Sequence, residues 1–178
     1  AGSVNKYFGN LEMNIGGTGD VFIAHLDSLW CSGNLTINRY TAGNSVAFNA
    51  GATINGNFSF SNNTTGFTSL GNINYKTSIE GTLNVYAAYV VPGTFIMYRL
   101  INKLNGGNIT VQNSLGFDIV NNTLLLGLMS IEGYRGNAYG RLLNNEITAT
   151  VNVNPYSGYS SGFATYIRNN TITGNCTF

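Results

Sequence analysis

The residues able to carry chemistry are few. The single histidine, His25, stands two positions before Asp27, and in a strand that spacing puts both on one face. A His–Asp pair serves catalysis only beside a nucleophile, and the sequence contains no Gly-x-Ser-x-Gly elbow to hold one. The seven carboxylates, Glu12, Asp20, Asp27, Glu80, Asp118, Glu132 and Glu146, include no adjacent pair. A glycosidase dyad would have to be assembled by the fold. No His/Cys cluster has the spacing of metal ligands. The expectation is therefore a chain that is not an enzyme, with no catalytic residue, no metal and no cofactor. His25 is read as a surface or hydrogen-bonded side chain.

The remaining reactive side chains are two cysteines, Cys31 and Cys176, with 144 residues between them. An even count in an extracellular chain favours a disulfide over two unrelated thiols. In the chain-entropy description, closing that loop would stabilise by roughly 4 to 5 kcal/mol. Asn-x-Ser/Thr sequons occur at Asn34, Asn57, Asn62, Asn63, Asn108, Asn121, Asn169 and Asn175. In a secreted protein they are candidate N-glycan sites, with Asn62 and Asn63 competing for one glycan. The extracellular reading rests on a first residue that is Ala1, taken as the start of a mature chain. No apolar run reaches the roughly 20 residues of a membrane helix.

Charged residues make up only 8% of the 178, with a net charge of +1, against roughly 25% in ordinary soluble domains. The polar surface is instead supplied by 28 Asn, 18 Thr and 13 Ser. Basic residues are scattered singly, so there is no phosphate-binding stripe and nucleic acid is not an expected partner. With so few carboxylates, stability is expected to respond weakly to pH.

The elements that would position these residues are strands. Period-two alternation recurs without helical periodicity: Ile147, Ala149, Val151 and Val153 on one face, Ile54 through Phe58 to Phe60, Val46 with Phe48, Leu83 with Val85 and Ala87, and Ile109 with Val111. Tyr86 to Val91, Phe95 to Ile101 and Leu124 to Met129 are more continuously apolar and read as central strands. Turn chemistry falls at Gly16-Gly17, Asn55-Gly56, Asn105-Gly106-Gly107 and Asn154 to Gly158. One buried and one wet face per strand predicts an antiparallel immunoglobulin-like β-sandwich. The alternative is a right-handed parallel β-helix, because Val120-Asn121-Asn122-Thr123-Leu124, Leu143-Asn144-Asn145-Glu146-Ile147 and Arg168-Asn169-Asn170-Thr171-Ile172 recur 23 and then 25 residues apart.

The N-terminal stretch divides the chain into a strand at 1–15, a glycine-rich linker at 16–20 and a head at 21–178. In the strand Tyr7, Gly9, Leu11, Met13 and Ile15 share one side, opposite Asn10, Glu12 and Asn14. A hairpin within one domain would explain it, since five-residue loops are common. The layout of amphipathic strand, glycine linker and Asn/Thr/Tyr-rich β head also resembles pilins assembled by donor-strand complementation, more narrowly the glycosylated thread pilins of thermoacidophilic archaea. The resemblance implies a head lacking one strand, filled by residues Tyr7 to Ile15 of a neighbouring identical subunit, with Leu11, Met13 and Ile15 inserted. It also implies a cell-surface filament of head-to-tail subunits serving adhesion or biofilm formation. The competing expectations are a secreted carbohydrate-binding module with a Tyr-lined site, and a β-helix polysaccharide-active protein with clustered carboxylates.

Overall fold

The computed structural model describes residues 3–63, 65–88, 94–133, 139–154 and 164–178. The chain winds in rungs of three short strands, each rung lying on the one before. Rungs one to three are β1 (Val4–Tyr7), β2 (Leu11–Ile15) and β3 (Val21–Ile23); β4 (Ser28–Cys31), β5 (Leu35–Arg39) and β6 (Ser45–Ala47); β7 (Ala52–Ile54), β8 (Phe58–Asn62) and β9 (Thr68–Gly71). Rungs four and five are β10 (Thr77–Ile79), β11 (Leu83–Ala88) and β12 (Thr94–Tyr98); β13 (Leu100–Asn102), β14 (Gly107–Ser114) and β15 (Gly116–Val120). In rungs six and seven one long strand covers the first two sides: β16 (Thr123–Gly133) with β17 (Tyr139–Leu143), and β18 (Glu146–Asn154) with β19 (Ala164–Arg168). β20 (Thr171–Thr173) and β21 (Cys176–Thr177) begin an eighth.

Every strand pairing among the described residues is parallel. Three faces result. Face A begins at β1 and β4, face B at β2 and β5, and face C is the sheet β19-β17-β15-β12-β9-β6-β3. The architecture is a parallel β-solenoid, which corrects the expected antiparallel immunoglobulin-like sandwich and agrees with the alternative. The reason for the error is physical. Alternation reports only that one side of a strand is dry, and a solenoid wall has a dry inside and a wet outside just as a sandwich sheet does.

The core fills the tube with like residues stacked rung on rung. On face B the register runs Met13, Ile37, Phe60, Val85, Ile109, Met129, Val151. On face C it runs Ala47, Leu70, Met97, Ile119, Leu142. The alternation of Ile147, Ala149, Val151 and Val153 is as expected, with all four buried. Val46 with Phe48 is not a face. Ala47 is the inward residue, and Phe48 turns inward at the corner with φ of 64°, its ring edge-on to Phe58 at 5.0 Å. Of the three continuous apolar runs, residues 89–91 lie outside the described residues, as does the 155–158 part of the last expected turn. Phe95–Ile101 crosses a corner between β12 and β13, and Leu124–Met129 crosses the register shift inside β16.

Corners are built from stacked Asn and Gly. Face C ends on a left-handed residue in each of seven rungs: Ala24, Phe48, Gly71, Arg99, Asn121, Asn144 and Asn169, with φ from 51° to 83°. Asn tolerates that region better than most side chains, which explains its first position in the recurring Asn pairs. The second Asn of each pair is an inward ladder. Asn145 Oδ1 accepts from Asn122 N at 2.9 Å, Asn170 Oδ1 accepts from Asn145 N at 3.0 Å, and Asn145 Nδ2 donates to the Ile119 carbonyl at 2.8 Å. Buried backbone groups at the bend thereby keep their partners.

Between faces A and B the triplets Gly9-Asn10-Leu11, Gly33-Asn34-Leu35, Gly56-Asn57-Phe58 and Gly81-Thr82-Leu83 superpose, 24, 23 and 25 residues apart. Asn10, Asn34 and Asn57 side chains accept from the backbone N of Asn34, Asn57 and Thr82 at 2.9, 2.8 and 2.9 Å. Glycine is required here by close approach: a Cβ on Gly56 would lie 2.5 Å from Asn34 Oδ1 and 2.7 Å from the Gly33 carbonyl. Between faces B and C, Asp20 accepts from Asn44 N at 3.0 Å and Asn44 from Phe67 N at 3.1 Å.

The solenoid also separates the cysteines. Cys31 is buried on face A in rung two and Cys176 is exposed on face B at rung eight, and both are free. Six rung steps at the parallel-strand spacing put them about 29 Å apart along the axis, where a bridge requires Cα atoms within about 7 Å. The expected disulfide is thus corrected. The segment expected to act as donor strand lies in the first rung, where Leu11, Met13 and Ile15 of β2 register with Leu35, Ile37 and Arg39 of β5 in the same chain. Residues 16–20 form the corner from face B to face C rather than a hairpin loop. An incomplete sandwich is the premise of donor-strand pilins, so the layout that suggested them has another explanation.

Two outcomes test this account. Gly56→Ala, forced against Asn34 and Gly33, should lower stability by about 1 to 3 kcal/mol, while Gly16→Ala, with nothing within 4 Å, should leave the melting temperature unchanged. Asp20 has its carboxyl held below the usual value of 3.8, first by the Asn44 backbone N–H and then by the Asn44 side chain. A carboxylate with a depressed folded pKa stabilises above its unfolded value and loses that contribution as pH falls through the folded one. Melting temperature should therefore be flat from neutral pH down to about pH 5 and fall only in stronger acid. Asp20→Asn, which keeps the acceptor as Asn44 does one rung on, should blunt that acid fall.

Candidate functional site

Outward positions on face C form two rows. One runs Phe22, Val46, Ser69, Ile96, Asp118, Arg141, Tyr166 and the other Tyr98, Val120, Leu143, Arg168. Asp118 and Val120 point outward by alternation, since Phe117 and Ile119 fill the core, yet they are only 1% and 8% exposed. Asp118 Oδ2 accepts from the Tyr98 hydroxyl and from Arg141 Nη2. Its Oδ1 is buried without a hydrogen-bond partner among the described residues.

The ion pair is lopsided in exposure, with the Asp118 side chain 2% and the Arg141 side chain 44% accessible. The carboxylate thus holds the guanidinium from beneath, with Arg141 Nε buried as well, while part of the long side chain stays accessible. On the next rung Tyr166 is 49% exposed, and Arg168 sits 6.0 Å from the Tyr166 ring centroid. Two tyrosines and two arginines therefore converge on one patch of outer wall, with a single buried carboxylate behind them. Neither Asp118 nor Arg141 stood out in the sequence. The signal was present as outward residues 23 apart, one rung, but reading it required the repeat to be known along its whole length.

The other sequence candidates are dispersed. His25 is exposed in the turn after β3, its ring tilted over Phe22 at 4.8 Å, so it shares no strand face with Asp27. Glu80 pairs with Lys103 on the next rung at 2.8 Å. Glu12 and Glu132 belong to face B, Glu146 opens face A, and Asp20 and Asp27 sit at corners. Asp118 is the one carboxylate on face C, and no group of three or more His, Cys, Asp and Glu that could hold a metal occurs among the described residues. A second buried charge, Arg39 inside face B, donates to the carbonyls of Thr41 at 2.8 Å, Gly19 at 2.5 Å and Ala42 at 3.0 Å. It holds the corner to face C.

Of the sequons, Asn62 is fully buried and donates to Thr68 Oγ1 at 2.9 Å, so it offers no acceptor nitrogen. Its neighbour Asn63 is exposed, as are Asn34, Asn57, Asn108, Asn121, Asn169 and Asn175. Asn34 and Asn57 lend their oxygens to the corner ladder, and Asn169 Nδ2 is engaged with Asn144 at 3.1 Å.

Comparison with known proteins gives no match among family models, curated proteins or solved structures. The fold and the site together define the class: a parallel β-solenoid with a nearly uncharged wall and a Tyr/Arg patch on face C.

Removing Arg141 leaves the buried Asp118 carboxylate with the Tyr98 hydroxyl as its one remaining donor among the described residues. Arg141→Ala should cost about 1 to 3 kcal/mol, less than breaking a fully buried pair because the Arg141 side chain is only partly buried. The double variant Asp118→Ala/Arg141→Ala should recover part of that loss. A double-mutant cycle by chemical denaturation measures both.

Proposed function

We propose that this chain is an extracellular, non-catalytic polysaccharide-binding protein that holds an acidic glycan on face C. The observation that carries the reading is the cluster of Arg141, held by buried Asp118 and with its side chain 44% accessible, beside exposed Tyr166 with Arg168 at its ring. A guanidinium fork matches a carboxylate in geometry as well as charge. Tyrosine supplies an apolar body for a sugar ring and a hydroxyl for its polar edge. Arg168 adds a second cation at the same wall. Binding fits the site better than glycoside hydrolysis, which uses two carboxyl groups roughly 5 to 9.5 Å apart, because the rungs flanking Asp118 bring Ile96 and Arg141 beside it on the wall rather than another acid. A surface of Asn, Thr, Ser and Gly with few charges suits an extracellular setting.

Calorimetric titration with an α-1,4-oligogalacturonate and with its methyl-esterified, neutral counterpart tests the reading. The acidic probe should bind and the ester should bind at least tenfold more weakly. Arg141→Lys with Arg168→Ala, which keeps a cation beside Asp118 and so spares the fold, should weaken the acidic probe at least tenfold. Equal affinity for both probes, or none for the acidic one, would sink the proposal.

A further inference from the structure

The outer wall of face A carries a second aromatic feature, in rungs one to four and remote in sequence from the patch on face C. Trp30, the single tryptophan of the chain, occupies an outward position of β4 because Leu29 and Cys31 on either side of it are buried. Its outward neighbour on β1 is Lys6. Phe8 meets the indole edge-on, ring centroids 5.4 Å apart and planes inclined at 64°. That contact braces the indole from one side.

Two open grooves share Trp30 and Val4. One, of about 250 Å³, is lined by Val4, Lys6, Phe8 and Trp30. The other, of about 310 Å³, runs from Trp30 to Tyr75 and Lys76 over the small residues Gly51 and Ala52. Each groove thus has an aromatic wall and one lysine, and no carboxylate lines either. Phe8 is 83% and Tyr75 55% exposed. Aromatic residues gathered round a groove with a few polar groups, unlike hydrophobics scattered singly over a surface, are the composition of a ligand site.

We infer that the two grooves form one binding site for an acidic oligosaccharide laid across the strands past Trp30, mainly along the solenoid axis, with carboxylates met by Lys6 and Lys76, which lie three rungs apart. The apolar face of a pyranose ring stacks on an indole, while the lysines act as mobile point charges rather than as a shaped fork. This contrasts with face C, where Arg141 is fixed by Asp118, so the two sites should differ in tolerance: the Trp30 site accepts any suitably spaced anion on a sugar chain. The ligand class rests on the polysaccharide reading, whereas the site stands on its own grooves.

Because Trp30 is the only indole, its fluorescence reports this site apart from the one on face C. Titrating the full chain with the α-1,4-oligogalacturonate should shift or quench the emission saturably. Lys6→Gln with Lys76→Gln, both exposed and outside the core, should raise the midpoint at least tenfold. Arg141→Lys with Arg168→Ala should leave the fluorescence titration unchanged. An emission that does not respond while calorimetry still shows binding sensitive to Arg141 and Arg168 would overturn this inference and leave the proposal for face C standing. A response indifferent to the two lysines, or abolished by the face C substitutions, would overturn it too.

Discussion

The structure depends on one constraint: each rung must return to the same place above its predecessor so that every strand finds its parallel partner in register. Parallel ladder bonds impose the spacing along the axis, but they do not bend the chain. The bends are enforced by side-chain amides that accept the backbone N–H of the next rung, as Asn10, Asn34 and Asn57 do in succession. An amide suits this because it carries a donor and an acceptor on one short, neutral arm. Stacked at rung spacing, a like-charged ladder would repel itself, whereas an Asn ladder bonds to itself. The abundance of Asn and the scarcity of charge are thus two aspects of one design.

The same repetition governs where charges occur. Arg39 sits inside, held through Nε and Nη2 by corner carbonyls instead of by a carboxylate, and serves the fold. Asp118 is outside by alternation yet buried, with a tyrosine hydroxyl and a half-exposed arginine as its donors. A buried acid paired with a half-buried base contributes little to stability for its cost in desolvation. On the binding reading proposed above, its value lies in holding the arginine in place. The Trp30 grooves on face A use the opposite device, partly exposed rings with unpaired lysines beside them among the described residues.

What the sequence by itself determined is local. Side chains that must avoid water alternate along a strand whatever its partner, so Ile147, Ala149, Val151 and Val153 could be read as inward without knowing the fold. The tandem Asn pairs at Asn121-Asn122, Asn144-Asn145 and Asn169-Asn170 marked the true corners, because a left-handed residue followed by a self-bonding amide leaves a compositional trace. The Gly-Asn triplets starting at Gly9, Gly33 and Gly56 left the same trace in the N-terminal half, and with them the repeat would have spanned most of the chain.

Tertiary structure alone decided which strands pair, and in which direction, because alternation is identical for parallel and antiparallel partners. From that choice follow the features no local pattern contains. Cys31 and Cys176 are held many rungs apart, Asn62 is turned inward while Asn63 stays outside, and Asp118 meets Arg141 across a single rung although 23 residues separate them. Phe8 likewise reaches Trp30 because one turn of the solenoid brings residues about that far apart side by side. Distance along the chain becomes proximity only once the period of the winding is fixed, and that period is set by the closure of all the rungs together.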